Sequence, residues 1–272
     1  MKLTILTASI GPEEVLFQHY KWFKSLDSNN LKMIIIDQGE KSSSFLEDKI
    51  VDKDFNYIYN EQKGLSLNRN IAMKSVETEY TMFLDDDARF TKEMLQKILT
   101  ELQNKHDVLL CAISNADGSL SSYTKSNKSK LLNIRTIEGH VNSNGLIIKT
   151  QLLNSFKFDE KMGVGAKYGS GEDAEIVAQI LDQKFSVYYE PSLRVVHPPK
   201  PFDASKAFSY GKGHGYFTKK MIFKKDVNAK ILGIWKIIKA IIKYLISFAY
   251  FRDRNILQSW VKGFWIGLTG EK

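Results

Sequence analysis

Short apolar runs alternate along this chain with longer stretches whose apolar positions recur at helical spacing. Four runs are nearly continuous: Leu3-Thr4-Ile5-Leu6-Thr7, Met33-Ile34-Ile35-Ile36-Asp37, Tyr80-Thr81-Met82-Phe83-Leu84 and Val108-Leu109-Leu110-Cys111-Ala112-Ile113. Strands buried on both faces read this way. The first is expected over residues 2–9, and a further strand over 55–60. Between them the pattern predicts a helix over 12–25 opened by Pro12-Glu13-Glu14 and a short helix near 45–50. Another helix is entered through the Lys63-Gly64 turn and continues to about Val76, and Thr91 caps one over 92–103. This regular alternation predicts an α/β fold, an open and mostly parallel sheet with helices on both faces.

After Ser114 the regularity stops. Residues 117–132, rich in Ser, Lys and Asn, read as a mobile loop, and 134–139 and 144–149 as strands of mixed direction. Gly163, Gly165, Gly169 and Gly171 punctuate a loop that empties into an amphipathic helix beginning Glu172-Asp173. A last strand over 185–189 precedes Val195-Val196-His197-Pro198-Pro199.

Charge divides the chain in two. Residues 206–272 hold 14 Lys and Arg against 3 acids, whereas the first 205 residues carry a small acidic excess. On a helix near 229–251, Lys236, Lys239 and Lys243 fall within about 60° of one another, with Ile234, Ile238, Ile241, Leu245 and Phe248 opposite. The longest uncharged run there is eight residues, 244–251, far below the roughly 20 needed to span a bilayer. A lysine-faced helix carrying Trp235 fits one lying in a membrane interface, and residues 255–268 add Trp260, Phe264 and Trp265. Packing on the body or on a second protomer is the alternative. No nucleic-acid-binding motif accompanies the charge, so nucleic acid is not expected as a partner.

The candidate chemistry lies where the fourth strand drives into Asp85-Asp86-Asp87. Side chains alternate along a strand, so Asp85 and Asp87 are expected on one side and Asp86 on the other. Neighbouring carboxylates resist joint ionisation unless a cation or hydrogen-bond donors compensate them, and Mg²⁺ or Mn²⁺ takes just such oxygen ligands. A solvated acidic turn is the plain alternative. The place, past the end of a buried strand in an alternating α/β pattern, is where open sheets bind ligands. The pair Glu172-Asp173, taken alone, also suits an ordinary helix N-terminus. The single cysteine, Cys111, sits within a strand run, which excludes an intrachain disulfide and a cysteine-rich zinc site.

Taken together, Thr7-Ala8-Ser9, the strand-ending Asp37, Gly64-x-x-x-Asn68-Arg69-Asn70, the triple Asp, Glu172-Asp173 and His197-Pro198 resemble the family 2 glycosyltransferases of the GT-A fold, over roughly residues 2–215. The resemblance is to enzymes that build bacterial capsule, O-antigen or lipooligosaccharide chains. It implies a Rossmann-like catalytic domain over 1–215 and a basic, membrane-associating helical extension over 216–272. It implies a nucleotide-sugar site built from Thr7, Ser9, Asp37, Gly64, Asn68, Arg69, Asp85 and Asp86, with Asp37 toward the base and Asp85 toward the ribose. Asp87 corresponds to the direct ligand of Mn²⁺ or Mg²⁺, with Asp85 and His197 as further ligands, although a histidine before Pro-Pro also serves as a turn residue. Asp173, with Glu172 second, matches the catalytic base.

The activity so implied is inverting, metal-dependent transfer of a sugar from a nucleoside diphosphate, by default a UDP-hexose, to a hydroxyl of a lipid-linked saccharide. Such an enzyme is expected to sit peripherally on the cytoplasmic face of the membrane, with a homo-oligomeric state left open. Two other readings are a sugar nucleotidyltransferase and a non-enzymatic, membrane-bound assembly factor on a transferase scaffold. The first calls for a basic, glycine-rich loop after the first strand, where this chain has Gly11-Pro12-Glu13-Glu14.

Overall fold

The computed structural model describes residues 2–39, 52–121, 124, 126–249 and 254–270. The short helix expected near 45–50 lies outside them. Eight strands form one sheet in the order β3-β2-β1-β4-β7-β5-β8-β6. These are β1 (Leu3–Ser9), β2 (Leu31–Gln38), β3 (Phe55–Asn60), β4 (Tyr80–Phe83), β5 (Val108–Ser114), β6 (Lys130–Leu131), β7 (Leu146–Lys149) and β8 (Val187–Val196). The helices are α1 (Glu13–Ser25), α2 (Leu65–Met73), α3 (Lys92–Glu101), α4 (Glu172–Asp182), α5 (Ala204–Phe223), α6 (Val227–Ala249) and α7 (Arg254–Thr269).

The apolar runs are strands because the sheet is covered on both sides, and successive residues serve opposite cores. Leu3, Ile5, Met33, Ile35, Met82, Leu109 and Ile147 join Leu16 and Phe23 of α1 and Leu95 and Ile98 of α3. Leu6, Ile34, Ile36, Phe83, Leu110, Leu146 and Ile148 face the other way, onto α2, α4, α5 and α6. Thr91 caps α3 by accepting the Met94 N–H at 3.2 Å, as its position predicts.

Strands β3, β2, β1 and β4 run parallel. Strand β7 then enters antiparallel between β4 and β5, and β8 pairs parallel with β5. Two sequence expectations are corrected. Residues 134–139 form turns: the Asn133 carboxamide accepts the Arg135 N–H and the Thr136 hydroxyl accepts the Asn133 N–H, local bonds that replace a strand ladder. Conversely, the stretch read as a loop holds β6 at its end, paired with β8. The last strand is also longer than its apolar pattern, because the register shifts between Glu190 and Arg194 and the ladder resumes beyond the irregularity.

Position 215/216, expected as the boundary between body and tail, lies inside α5. Phe217 and Met221 beyond it, with Ala229 and Leu232 of α6, belong to the core beneath the sheet. Helix α7 packs on α5 through glycines. A Cβ on Gly211 would stand 2.1 Å from the Trp260 carbonyl oxygen and one on Gly215 2.0 Å from that of Phe264. From the other side, a Cβ on Gly263 or Gly267 would stand 2.1 Å from the carbonyl oxygen of Phe208 or Lys212. The two backbones touch.

Helix α6 is oriented against the expectation for its lysine face, which is turned toward the protein. Lys239 pairs with Glu138 at 2.8 Å and Lys236 with the same carboxylate at 3.9 Å, while Lys243 lies 3.9 Å above the Trp260 ring. The apolar face points outward, with Ile234, Trp235, Ile241 and Phe248 exposed and Leu245 62% exposed. Among the described residues no helix is long and apolar enough to cross a membrane.

Candidate active site

All the strand-end residues singled out from sequence arrive at one edge of the sheet. Strand β1 has β2 on one side and β4 on the other, so the parallel strands part there and leave a crevice at their carboxyl ends. Ser9 ends β1, Asp37 lies near the end of β2, and Asp85-Asp86-Asp87 follow β4. The expected alternation holds. Asp86 turns back to a close hydrogen bond from the Ser9 hydroxyl, whereas Asp85 and Asp87 gather with His197, their ligand atoms all within 4.8 Å of one another.

His197 reaches this place because a backbone bridge ties the end of β8 to the chain just past the triplet. Arg89 N–H donates to the Val196 carbonyl at 2.9 Å, and Val196 N–H donates back at 2.8 Å. His197 Nε2 then lies 3.3 Å from Asp87 Oδ1 and 3.8 Å from Asp85 Oδ2. Lys200, in the same Pro-rich segment, places its ammonium 2.9 Å from Asp87 Oδ2. Burial works to raise the Asp87 carboxyl, yet contact with His197 and Lys200 holds it well below the usual carboxylate range. Asp86 is raised, by burial first and then by the charges of Asp87 and Asp85. Asp87 Oδ1 and His197 Nε2 are buried without a close hydrogen bond, facing each other at 3.3 Å. Two carboxylates and an imidazole converging with lone pairs to spare suit a divalent cation.

Arg69 stands between the triplet and the acid pair. Only 1% exposed, it presents one guanidinium nitrogen to Asp85 Oδ1 at 3.4 Å and another to Glu172 Oε1 at 3.5 Å, with Phe83 and Phe158 against its faces. The glycine loop delivers Glu172-Asp173 at the start of α4, where Gly171 adopts a left-handed conformation at φ 87°. Glu172 is buried and Asp173 partly exposed. Both carboxyls are pushed up, by burial first, and Glu172 also by the negative charge of Asp173. Asp173, raised yet partly open to solvent, is suited to take up a proton.

Four of the remaining candidates are turned inward. Thr7 is wholly buried and bonded to His19 Nε2 at 2.9 Å. Asp37 is wholly buried and accepts the Tyr57 hydroxyl at 2.6 Å. Asn68, also buried, donates to Gln38 Oε1 at 2.8 Å, which in turn accepts the Gly64 N–H at 2.7 Å. Asn68 and Gly64 therefore lock the turn that starts α2 and aims Arg69.

Sequence reasoning missed three groups. Asn144 accepts the Asp85 N–H at 2.7 Å and donates to Asp85 Oδ2 at 3.0 Å. His19 is buried behind the triplet against Arg89 and Trp22, its imidazole kept neutral by burial and by the Arg89 charge. Lys200 is the third. Asn144 precedes Gly145, which adopts φ +85° and where a Cβ would also meet that of Cys111 at 2.7 Å. An Asn-Gly turn before an apolar run was the available signal. The Cys111 thiol itself is pushed up to about 12 by burial, so it is no nucleophile.

Comparison with known proteins agrees with this geometry. The chain is 25% identical over 173 residues to the minor teichoic acid biosynthesis protein GgaB of Bacillus subtilis, covering 59% of this chain and 19% of that protein. It is 30% identical over 108 residues to the teichoic acid poly(glycerol phosphate) polymerase of Staphylococcus epidermidis, covering 38% and 15% respectively. The chain thus spans less than a fifth of the length of these curated relatives. Among solved structures, the mannosyltransferase PcManGT of Pyrobaculum calidifontis, in complex with GDP-Man and Mn²⁺, superposes with a TM-score of 0.66 at 11% identity, over 100% of this chain and 88% of that one. S. aureus TarS 1-349 in complex with UDP-GlcNAc gives 0.55 at 14% identity, over 99% and 92%. The fold is the mixed, mostly parallel GT-A type. With the family's sequence model matching residues 18–163, the chain belongs to glycosyl transferase family 2.

Proposed function

We propose that this glycosyltransferase moves a hexose from a uridine diphosphate donor to a hydroxyl of a lipid-linked saccharide, with inversion at the anomeric carbon, during synthesis of a bacterial surface polymer. The observation that carries the reading is the pairing of two acidic groups across Arg69: Asp85, Asp87 and His197 on one side and Glu172-Asp173 on the other. Asp85, Asp87 and His197 would hold Mn²⁺ or Mg²⁺, which when bound supplies Lewis-acid stabilisation of the departing diphosphate. Ser9 and Asp86 border the nucleotide, while Thr7, Asp37, Gly64 and Asn68 act from beneath it by fixing the strand ends and the α2 turn. Arg69 keeps Asp85 and Glu172 apart and oriented.

Asp173 takes the acceptor proton as the new bond forms, its carboxyl made more basic by burial. Nothing covalent to the chain is needed. The UDP-GlcNAc complex of TarS and the teichoic acid relatives support the donor class and the kind of polymer. The outward apolar face of α6 and the basic balance of the tail support a peripheral seat on the membrane.

The test is a screen of nucleotide sugars for UDP release with Mn²⁺ or Mg²⁺. Asp87→Ala and Asp173→Asn should each abolish transfer while the circular dichroism spectrum is unchanged. Full transfer by either purified variant overturns the role given to that residue.

A further inference from the structure

Lys200 is part of no expected motif, yet it makes the closest cationic contact to the triplet, 2.9 Å from Asp87 Oδ2. Its backbone is stiff. Pro198, Pro199 and Pro201 surround it, and the His197 N–H is fixed to the Ser114 carbonyl at 3.1 Å. Its side chain is not stiff: 46% exposed, it can rotate about four single bonds without moving the chain. A rigid mount with a swinging ammonium stands at the rim of a site whose other members, Asp85, Asp87 and His197, are held from several directions.

The same carboxylate cannot serve the ammonium and a divalent ion equally well. An ion on Asp87 brings two positive charges next to the Lys200 nitrogen, and like charges at that spacing repel strongly outside bulk water. The ammonium must then leave, and its next favourable partner is the diphosphate oxygens that the donor brings to the same ion. Lysine serves phosphate as a mobile point charge.

Building on the cation–diphosphate reading, we infer that Lys200 is a movable counter-ion, pairing with Asp87 before the cation enters and transferring to the diphosphate once cation and donor are bound. It would keep the acidic cluster neutralised between turnovers, and afterwards neutralise charge on the leaving group. Lys200 is therefore a further donor-binding residue of this chain.

The experiment is lysine acylation footprinting on the full chain, reading Lys200 by mass spectrometry in three states: protein alone, with Mn²⁺, and with Mn²⁺ plus UDP. Mn²⁺ binding is followed in parallel by the loss of the free-ion electron paramagnetic resonance signal, in wild type, Asp87→Ala and Lys200→Gln. The expected labelling is slow, then fast, then slow again. Lys200→Gln should bind Mn²⁺ more tightly without UDP and bind UDP about tenfold more weakly with Mn²⁺ present, the loss of one charge-assisted contact.

If Mn²⁺ binds wild type but not Asp87→Ala, and Lys200 labelling is the same in all three states, the transfer is overturned while the cation site stands. If wild type binds no Mn²⁺ with or without UDP, the cation reading falls and the inference falls with it.

Discussion

Asn144 grips Asp85 twice, accepting its backbone N–H at 2.7 Å and donating to its carboxylate at 3.0 Å. The neighbouring Ser143 backbone also supports Asp173. One short turn before β7 therefore registers the triplet against the acid pair. Asn144→Ala leaves a partly buried N–H unsatisfied and lets Asp85 rotate. The expected outcome is a loss of about 1–3 kcal/mol of stability and a weakening of Mn²⁺ affinity by about 10- to 100-fold, as for other groups that orient a metal ligand. Denaturant titration and Mn²⁺-dependent UDP release measure the two effects.

Arg69 is the buried cation between two acidic groups, and removing it leaves both uncompensated. Arg69→Met is expected to cost about 3 kcal/mol, the usual penalty for breaking a buried pair from one side. Arg69→Lys keeps the charge but cannot span Asp85 and Glu172 with two nitrogens, so it should recover stability in part and activity hardly at all. Urea unfolding beside steady-state rates separates the two variants.

The acid pair ties activity and stability to pH with opposite signs. Both folded-state values lie above the ordinary carboxylate range. The stability they contribute is therefore full below that range and is lost as pH rises through the raised values. In the role proposed for it, Asp173 takes up a proton in its ionised form, so transfer is expected to rise over the same interval. Asp173→Asn should abolish transfer at every pH. It should also melt higher than wild type at about pH 8 and alike at about pH 4.

On α6 the side chains available to a membrane are the apolar ones. Replacing Ile241 and Leu245 together by Gln is expected to release the protein from anionic vesicles in sedimentation, with no change in melting temperature. Lys239→Glu, by contrast, sets a carboxylate against Glu138 and should loosen α6 from the body first. Unchanged vesicle binding by the double Gln variant would assign that face another role.

The glycine seam between α5 and α7 is testable by adding a methyl group. Gly263→Ala and Gly267→Ala each push a Cβ into a carbonyl 2.1 Å away, at a cost of about 1–3 kcal/mol for overpacking. Limited proteolysis should then cut within residues 254–269, whereas the exposed-site control Asn255→Ala stays resistant.

The parallel half of the fold and the triplet were legible in the sequence because their signals are local. A continuous apolar run ending in acids says both strand and site, and the expected separation of Asp86 from Asp85 and Asp87 is realised in the turn just past β4, where Ser9 holds Asp86. What could not be read depends on contacts between distant segments. The mixed direction expected for 144–149 is found in β7, but Leu146-Ile147-Ile148 gives no sign that the strand inserts between β4 and β5, since its place is set by its neighbours. Residues 134–139 looked like a strand because Ile134 and Ile137 are apolar, yet the Asn133 and Thr136 side chains close turns around them. The lysine stripe of α6 was readable as a stripe. That it faces Glu138 and Trp260 was not, because its partners lie about a hundred residues upstream and on the following helix. Lys200 went unnoticed because its segment is brought to Asp87 by contacts with distant residues, the Arg89–Val196 bridge and the bond from His197 to Ser114.

Where main chain rests directly on main chain, as between α5 and α7, no long side chain is left to take up slack. Such a junction leaves no room for even one added methyl group on either helix. Gly213 of α5 rests in the same manner on Ser170, just ahead of Glu172. A displacement of the last helix would therefore pass through backbone contacts alone toward Glu172-Asp173.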